Sequence, residues 1–132
     1  MPRKFIQSTK TLVMLYAFEK LDVWQKSRFL TKEIYSLTRT FPDEERYGLV
    51  SQLRRAVISV CSNIAEGSTR QSNKDKARFY ELAYGSLIEI LNQLIITADL
   101  SLIKEETLLS LRPSIEELTR MVNALSMATR RS

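Results

Sequence analysis

The chain has 132 residues, 44% of them hydrophobic and 27% charged, and a formal net charge of +5. That is the length of one domain with material for a core, and the composition excludes wholesale disorder. Three Gly and three Pro leave little to build turns from, so the expected class is all-α with few, long elements rather than a β-rich fold.

No run approaches the roughly 20 consecutive apolar residues of a membrane span. There is no His, which removes the commonest general base and the commonest metal ligand together. The single Cys61 cannot close an internal disulfide, so a reducing, cytoplasmic setting is expected. It lies in an apolar run and reads as a buried small hydrophobe; the alternative is a reactive thiol. Arg3 and Lys4 precede an apolar patch at Leu12–Phe18. No small-residue cleavage site follows before Glu19 and Lys20, so a signal peptide is not expected.

Residues 1–17 carry no clear period and are expected to form a loosely held extension. Residues 18–129 should form the folded body, and 130–132, with Arg130 and Arg131, a frayed tail. The first helix is expected to start with Asp22 as N-cap. Val23, Leu30, Ile34, Leu37 and Phe41 form its inward seam. Trp24, Arg28, Lys32, Tyr35 and Arg39 fall on another strip. Cations interleaved with aromatics suit a phosphate backbone and stacked bases. The alternative is that Trp24 and Tyr35 pack against a neighbour while the cations stay solvated. Phe41-Pro42 stops this helix, and Asp43, Glu44 and Glu45 should act as an acidic capping cluster for the next.

The second helix carries Leu49, Leu53, Ala56, Val57, Val60 and Ile64 at steps of three and four. A second apolar line, Val50, Ile58, Cys61 and Ala65, widens its arc beyond the roughly 100° stripe of a helix with one buried face. Arg55, Ser59, Ser62, Asn63 and Glu66 make a narrow polar strip; Arg55 and Glu66 are too far apart to pair with each other and are expected to meet partners on other helices. Gly67 stands where a left-handed C-cap is wanted, and Ser72 reads as the N-cap of the third helix. The third helix repeats the wide pattern. Phe79, Ala83, Leu87, Ile90 and Leu94 form one stripe, flanked by Tyr80, Tyr84, Leu91, Ile95 and Ala98. Arg70, Lys74, Lys76 and Arg78, against Asp75 alone, are the densest positive segment in the middle of the chain. For the last helix, Ser101 is the expected cap and Leu108, Leu111, Ile115, Leu118, Val122 and Leu125 form a heptad seam. Pro113 inside it predicts a kink or break near Leu109 to Arg112.

These elements predict an antiparallel up-down-up-down four-helix bundle. Two adjacent helices then carry more apolar surface than one partner can cover, which predicts self-association through Val50, Ile58, Cys61, Tyr80, Tyr84 and Leu91. No nucleophile–base pair and no Gly-rich phosphate loop can be nominated. Glu66, Glu81 and Glu89 are expected in salt bridges or solvent rather than around a metal. No enzyme activity, cofactor or metal is therefore expected. A basic chain attracts polyanions by counterion release, so binding is the remaining class.

Three segments carry a resemblance: FEKLDVWQKS (Phe18 to Ser27), FPDEERYGLVSQLRRAVISVCSNIAEGSTR (Phe41 to Arg70) and FYELAYGSLIEILNQL (Phe79 to Leu94). Together they resemble the bacterial four-helix-bundle family of 23S rRNA intervening-sequence proteins, whose fold also includes the accessory variability determinant of diversity-generating retroelements. The NIAEG run after SQLRRA is the most specific part. The resemblance spans about Phe18 to Ala128 and leaves Pro113 outside the pattern. It implies a homo-oligomeric ring, typically a pentamer, with a basic surface; the retroelement relative binds nucleic acid and its reverse transcriptase, which makes RNA or DNA the contact to test here. By similarity the contact candidates are Arg54, Arg55, Arg70, Lys74, Lys76 and Arg78, beside Trp24, Arg28, Lys32 and Arg39 from the residue reading. For Arg54 and Arg55 the alternative is salt bridges at subunit boundaries. Two functional readings stand: a nucleic-acid-binding accessory protein, and a scaffold that docks a partner protein with its charge serving solubility.

Overall fold

The computed structural model describes residues 5–7 and 12–131. The rest of the expected extension, with Arg3, Lys4 and Lys10, lies outside the described residues, as does Ser132. Within the extension, β1 (Phe5–Gln7) pairs antiparallel with β2 (Leu12–Met14), Phe5 opposite Met14. The body is four helices: α1 (Asp22–Thr38), α2 (Ser51–Thr69), α3 (Asn73–Asp99) and α4 (Glu105–Arg131).

Cross-helix contacts fix their directions. Thr31 Oγ1 lies 3.4 Å from Cys61 Sγ, while Arg54 Nε donates to Thr38 Oγ1 at 2.9 Å; moving up α1 means moving down α2. Ser59 meets Ser86 at 2.9 Å and Gln93 Nε2 donates to Gln52 Oε1 at 3.2 Å, so α2 and α3 are also opposed. Ser126 near the end of α4 donates to Ala77 O near the start of α3. Lys26 of α1 pairs with Glu117 of α4 at 2.8 Å and closes the ring of helices. The fold is the expected all-α four-helix bundle.

The inward seams follow the three-and-four spacing read from the sequence. Leu30 and Ile34 of α1, Leu53, Val57, Val60 and Ile64 of α2, Leu87, Ile90 and Leu94 of α3, and Ile115, Leu118 and Val122 of α4 are fully or almost fully buried. Each such side chain contributes about 1.5–3 kcal/mol of apolar transfer free energy. Two of the buried hydroxyls among them serve their own helix: Ser27 donates to Val23 O at 2.7 Å and Thr38 to Ile34 O at 2.8 Å. That leaves no orphaned donor in the core at these positions.

The helix ends differ from expectation in four places. Asp22 is the first residue inside α1, whose N-cap is Leu21 with no side-chain cap bond; its carboxylate faces the helix dipole instead. Gly67 is not a left-handed cap. It lies within α2, buried, and no described glycine has positive φ. Its role is steric: a Cβ there would meet Tyr80 Cε1 at 2.7 Å and Phe79 Cβ at 3.0 Å. Ser101 does not cap α4 but closes α3, at φ 60°. Ser101 N donates to Ala98 O and Leu102 N to Thr97 O, both at 3.0 Å, the paired bonds of a Schellman ending with serine where glycine is usual. Finally, α4 continues unbroken past Pro113 and through Arg130 and Arg131. Pro113 is exposed, so the bond it removes from the Leu109 carbonyl falls on the side where water replaces it.

The π-helical turn Arg46–Val50 joins a short 3-10 turn (Asp43–Glu45) to α2. Glu45 Oε1 accepts from Leu49 N at 3.4 Å, the one member of the acidic cluster whose side chain caps as expected. Ser72 caps α3 as expected, accepting from Asp75 N at 3.1 Å.

Two substitutions test these corrections. Gly67→Ala should destabilise by about 1–2 kcal/mol in urea unfolding, because overpacking against α3 outweighs the roughly 1 kcal/mol of helix propensity gained. A true C-cap glycine would give a similar loss, but there Gly67→Asn would be tolerated, and here it should be worse than Ala. Ser101→Gly should instead stabilise by up to about 1 kcal/mol, by relieving a side chain held in the left-handed region.

Candidate nucleic-acid interface

The close approach at Gly67 sets the α2–α3 corner. It brings Phe79 against the end of α2, and the Arg70 guanidinium lies 4.6 Å over the Phe79 ring. Arg70 also meets Glu66 at 3.4 Å, one turn back; the expected partner for Glu66 on another helix is thus its own helix's cap residue. Lys76 Nζ donates to Ser68 O at 3.3 Å, placing a cation at the negative end of the α2 dipole. Beyond this corner Lys74 and Arg78 line a groove with Asn73, Glu81 and Arg130. Arg130 pairs with Glu81 across α3 and α4. Lys74 and Arg78 are exposed and have no ion-pair partner among the described residues.

By sequence alone Arg130 belongs to a frayed tail. Its approach to this cluster depends on α4 running antiparallel to α3 for its whole length, which no local signal announces.

The other candidates separate from this corner. Arg54 is engaged within the monomer: its guanidinium lies 4.5 Å over the Tyr35 ring, and Nη2 reaches Tyr35 O at 3.4 Å. With its bond to Thr38 it satisfies the end of α1, as cations at helix C-termini do. Its chain neighbour Arg55 faces the other way, into a shallow groove with Gln52, Ser59 and Glu89, without an ion pair among the described residues. Trp24 stacks edge-on against Phe18 at 5.0 Å, and Arg28 lies 5.5 Å over the Trp24 ring. Both aromatics of the α1 strip are therefore committed to packing and cation contacts inside the chain. Lys32 and Arg39 are exposed.

The six residues nominated for self-association also divide. Ile58 and Tyr84 are exposed, at 44% and 39%. Val50 and Leu91 are partly buried against the core. Cys61 is half-buried, and burial pushes its thiol up despite the Thr31 hydroxyl, the opposite of an activated nucleophile. Tyr80 is only 4% exposed, because it fills the space Gly67 leaves; it belongs to the monomer core and not to an outer face. Periodicity missed Ile88, which is exposed. Together Tyr84, Ile88, Leu91 and Ile95 step by four, three and four along α3, a narrow apolar seam on its outer flank.

No helix among the described residues is long and apolar enough to cross a membrane. No curated protein matches the chain. Among solved structures, the chain is similar to a protein of unknown function from the S23 ribosomal protein family of Bacteroides thetaiotaomicron, with a TM-score of 0.71 and 20% identity. The match covers 79% of this chain and 97% of that one. At that identity the likeness establishes the bundle fold. The family model described as 23S rRNA-intervening sequence protein matches residues 19–124, and the chain therefore belongs to that family.

Proposed function

We propose that this is a non-enzymatic, cytoplasmic, homo-oligomeric accessory protein that binds RNA or DNA through the basic end of the bundle. The observation that carries the reading is the convergence of Lys74, Arg78 and Arg130 on one groove beside Arg70 and Lys76. Two chain segments distant in sequence, residues 70–78 and Arg130, supply cations to one surface. Lys74 and Arg78 make no ion pair among the described residues, which leaves their charge available for counterion release. The positively charged arginines of the α1–α2 side contribute less, since Arg54 is already bound.

Self-association multiplies such a patch and its field. The Tyr84–Ile88–Leu91–Ile95 seam supports it, because an exposed apolar line at heptad spacing is the signature of helix pairing between chains. The scaffold reading rests on the same seam but requires no free cations.

Fluorescence anisotropy of labelled structured RNA and duplex DNA, at low and near-physiological salt, tests the first part. Wild type should bind with a steep salt dependence. A Lys74→Ala/Arg78→Ala/Arg130→Ala variant should bind uniformly more weakly, its log–log salt slope shallower by roughly 0.9 for each phosphate that is no longer neutralised. No binding at low salt would overturn the nucleic-acid reading and leave the scaffold. Multi-angle light scattering tests the second part. An Ile88→Lys/Ile95→Lys variant should keep its helical content and fall to the monomer mass; an unchanged mass would remove the seam from the interface.

A further inference from the structure

Two positions on the outside of the bundle have no account inside the chain. Gly85 lies in the middle of α3, where glycine is destabilising relative to alanine. Gly67 is explained by Tyr80, but a Cβ at Gly85 would meet nothing within 4 Å. The glycine leaves a notch on the exposed side of α3. Glu81 and Leu82 rim it one turn before, Ile88 and Glu89 one turn after, and all four are exposed. The other position is Phe29 on α1. It is 63% exposed, a large apolar side chain on a strip otherwise made of polar and charged residues.

The charges around the two are opposite in sign. From Val23 to Arg39 the exposed residues beside Phe29 are Gln25, Arg28, Lys32, Ser36 and Arg39, three cations and no acid. Lys26 and Glu33 turn toward α4 and line the cleft there. From Phe79 to Asp99 the chain exposes Glu81, Glu89 and Asp99 and contains no Lys or Arg. Glu81 is paired with Arg130. Arg28, Lys32, Arg39, Glu89 and Asp99 make no ion pair among the described residues.

We infer that the outward face of α3 is covered by α1 of a second copy of this chain, with Phe29 seated in the Gly85 notch and Lys32 against Glu89. The inference rests on the self-association reading above and names the surface that meets the α3 seam, since Ile88 belongs to both. An aromatic knob in a hole left by a missing side chain is the packing of paired helices. Copies standing side by side bring α1 and α3 together in the same direction. Lys32 then lies three residues past Phe29 and Glu89 four past Gly85, about one helical turn in each case. A two-fold contact of α3 with α3 is disfavoured. It would gather the acids of both copies at one interface and leave both notches without a side chain to fill them.

The position of the two helices sets the geometry of assembly. Each of α1 and α3 packs on both α2 and α4, so they occupy opposite corners of the bundle. One copy therefore presents Phe29 to one neighbour and Gly85 to another, a heterologous contact that a pair cannot complete.

Multi-angle light scattering and sedimentation velocity of the full chain test the contact. Wild type should exceed the dimer mass. Phe29→Ala should raise the concentration of half-assembly at least about tenfold, as loss of a buried aromatic anchor does. Gly85→Leu should fill the notch and abolish assembly. At dilutions where both chains are monomeric it should melt no lower than wild type, because leucine is the better helix former and the space is open. Lys32→Glu should weaken assembly, and adding Glu89→Lys to it should restore assembly, which damage to the fold would not allow. Assembly that ignores Phe29→Ala and Gly85→Leu but is lost in Ile88→Lys/Ile95→Lys overturns the α1 contact and leaves the α3 seam to another surface. A dimer that grows no further overturns it as well. A wild type that stays monomeric at every concentration overturns this contact and the self-association reading together.

Discussion

The arrangement at the basic end depends on one missing atom. Because Gly67 has no Cβ, α3 can bring Tyr80 and Phe79 into the last turns of α2. That approach buries Tyr80 as a core residue and holds Phe79 where Arg70 can lie over it. Ser72 then caps α3 after a connector of three residues, 70–72. The direction in which α3 leaves the corner decides where Lys74 and Arg78 stand. It also decides where α4 returns with Arg130. A packing constraint at a single glycine thus reaches the electrostatics of the surface.

Charge in this molecule is used in two ways. Arg54 spends its guanidinium on the end of α1 and on the Tyr35 ring, and Lys26 with Glu117 bridges α1 and α4. In that exposed pair the mutual hydrogen bond raises the lysine's pKa and lowers the glutamate's, and such surface pairs contribute little to stability. Lys74 and Arg78 make no ion pair among the described residues. A net charge of +5 is modest, so its distribution matters more than its size. Apolar surface outside the core is spread more widely, over the flank of α3, Phe29 on α1, and Tyr47, Ile58 and Leu109 elsewhere.

The polar seam between α2 and α3 explains why these two helices tolerate a wide apolar arc without sliding. Ser59 bonds Ser86, Asn63 Nδ2 donates to Ser59 O at 2.9 Å, and the Gln93 amide is shared between Gln52 and Glu89. Hydrogen bonds at fixed heights specify register where apolar contacts alone would accept several.

The four helices, their inward seams and the Ser72 cap were legible in the sequence, because burial on a helix imposes its three-and-four period locally and a capping hydroxyl acts within three residues. The 53–64 stripe of α2 and the 87–94 stripe of α3 are buried as their spacing requires. Roles that depend on a second segment were not legible. Gly67 in sequence has the same appearance whether it frees φ or makes room for Tyr80. Arg54 and Arg55 are adjacent letters, yet one faces α1 and the other the groove beside α3. Arg130 joins Arg78, and Glu33 is left without a donor at Oε1, only through the crossing of distant helices. Periodicity reports which face of a helix avoids water; it carries no information about which atoms of another helix will stand opposite, and that was decided by the tertiary structure.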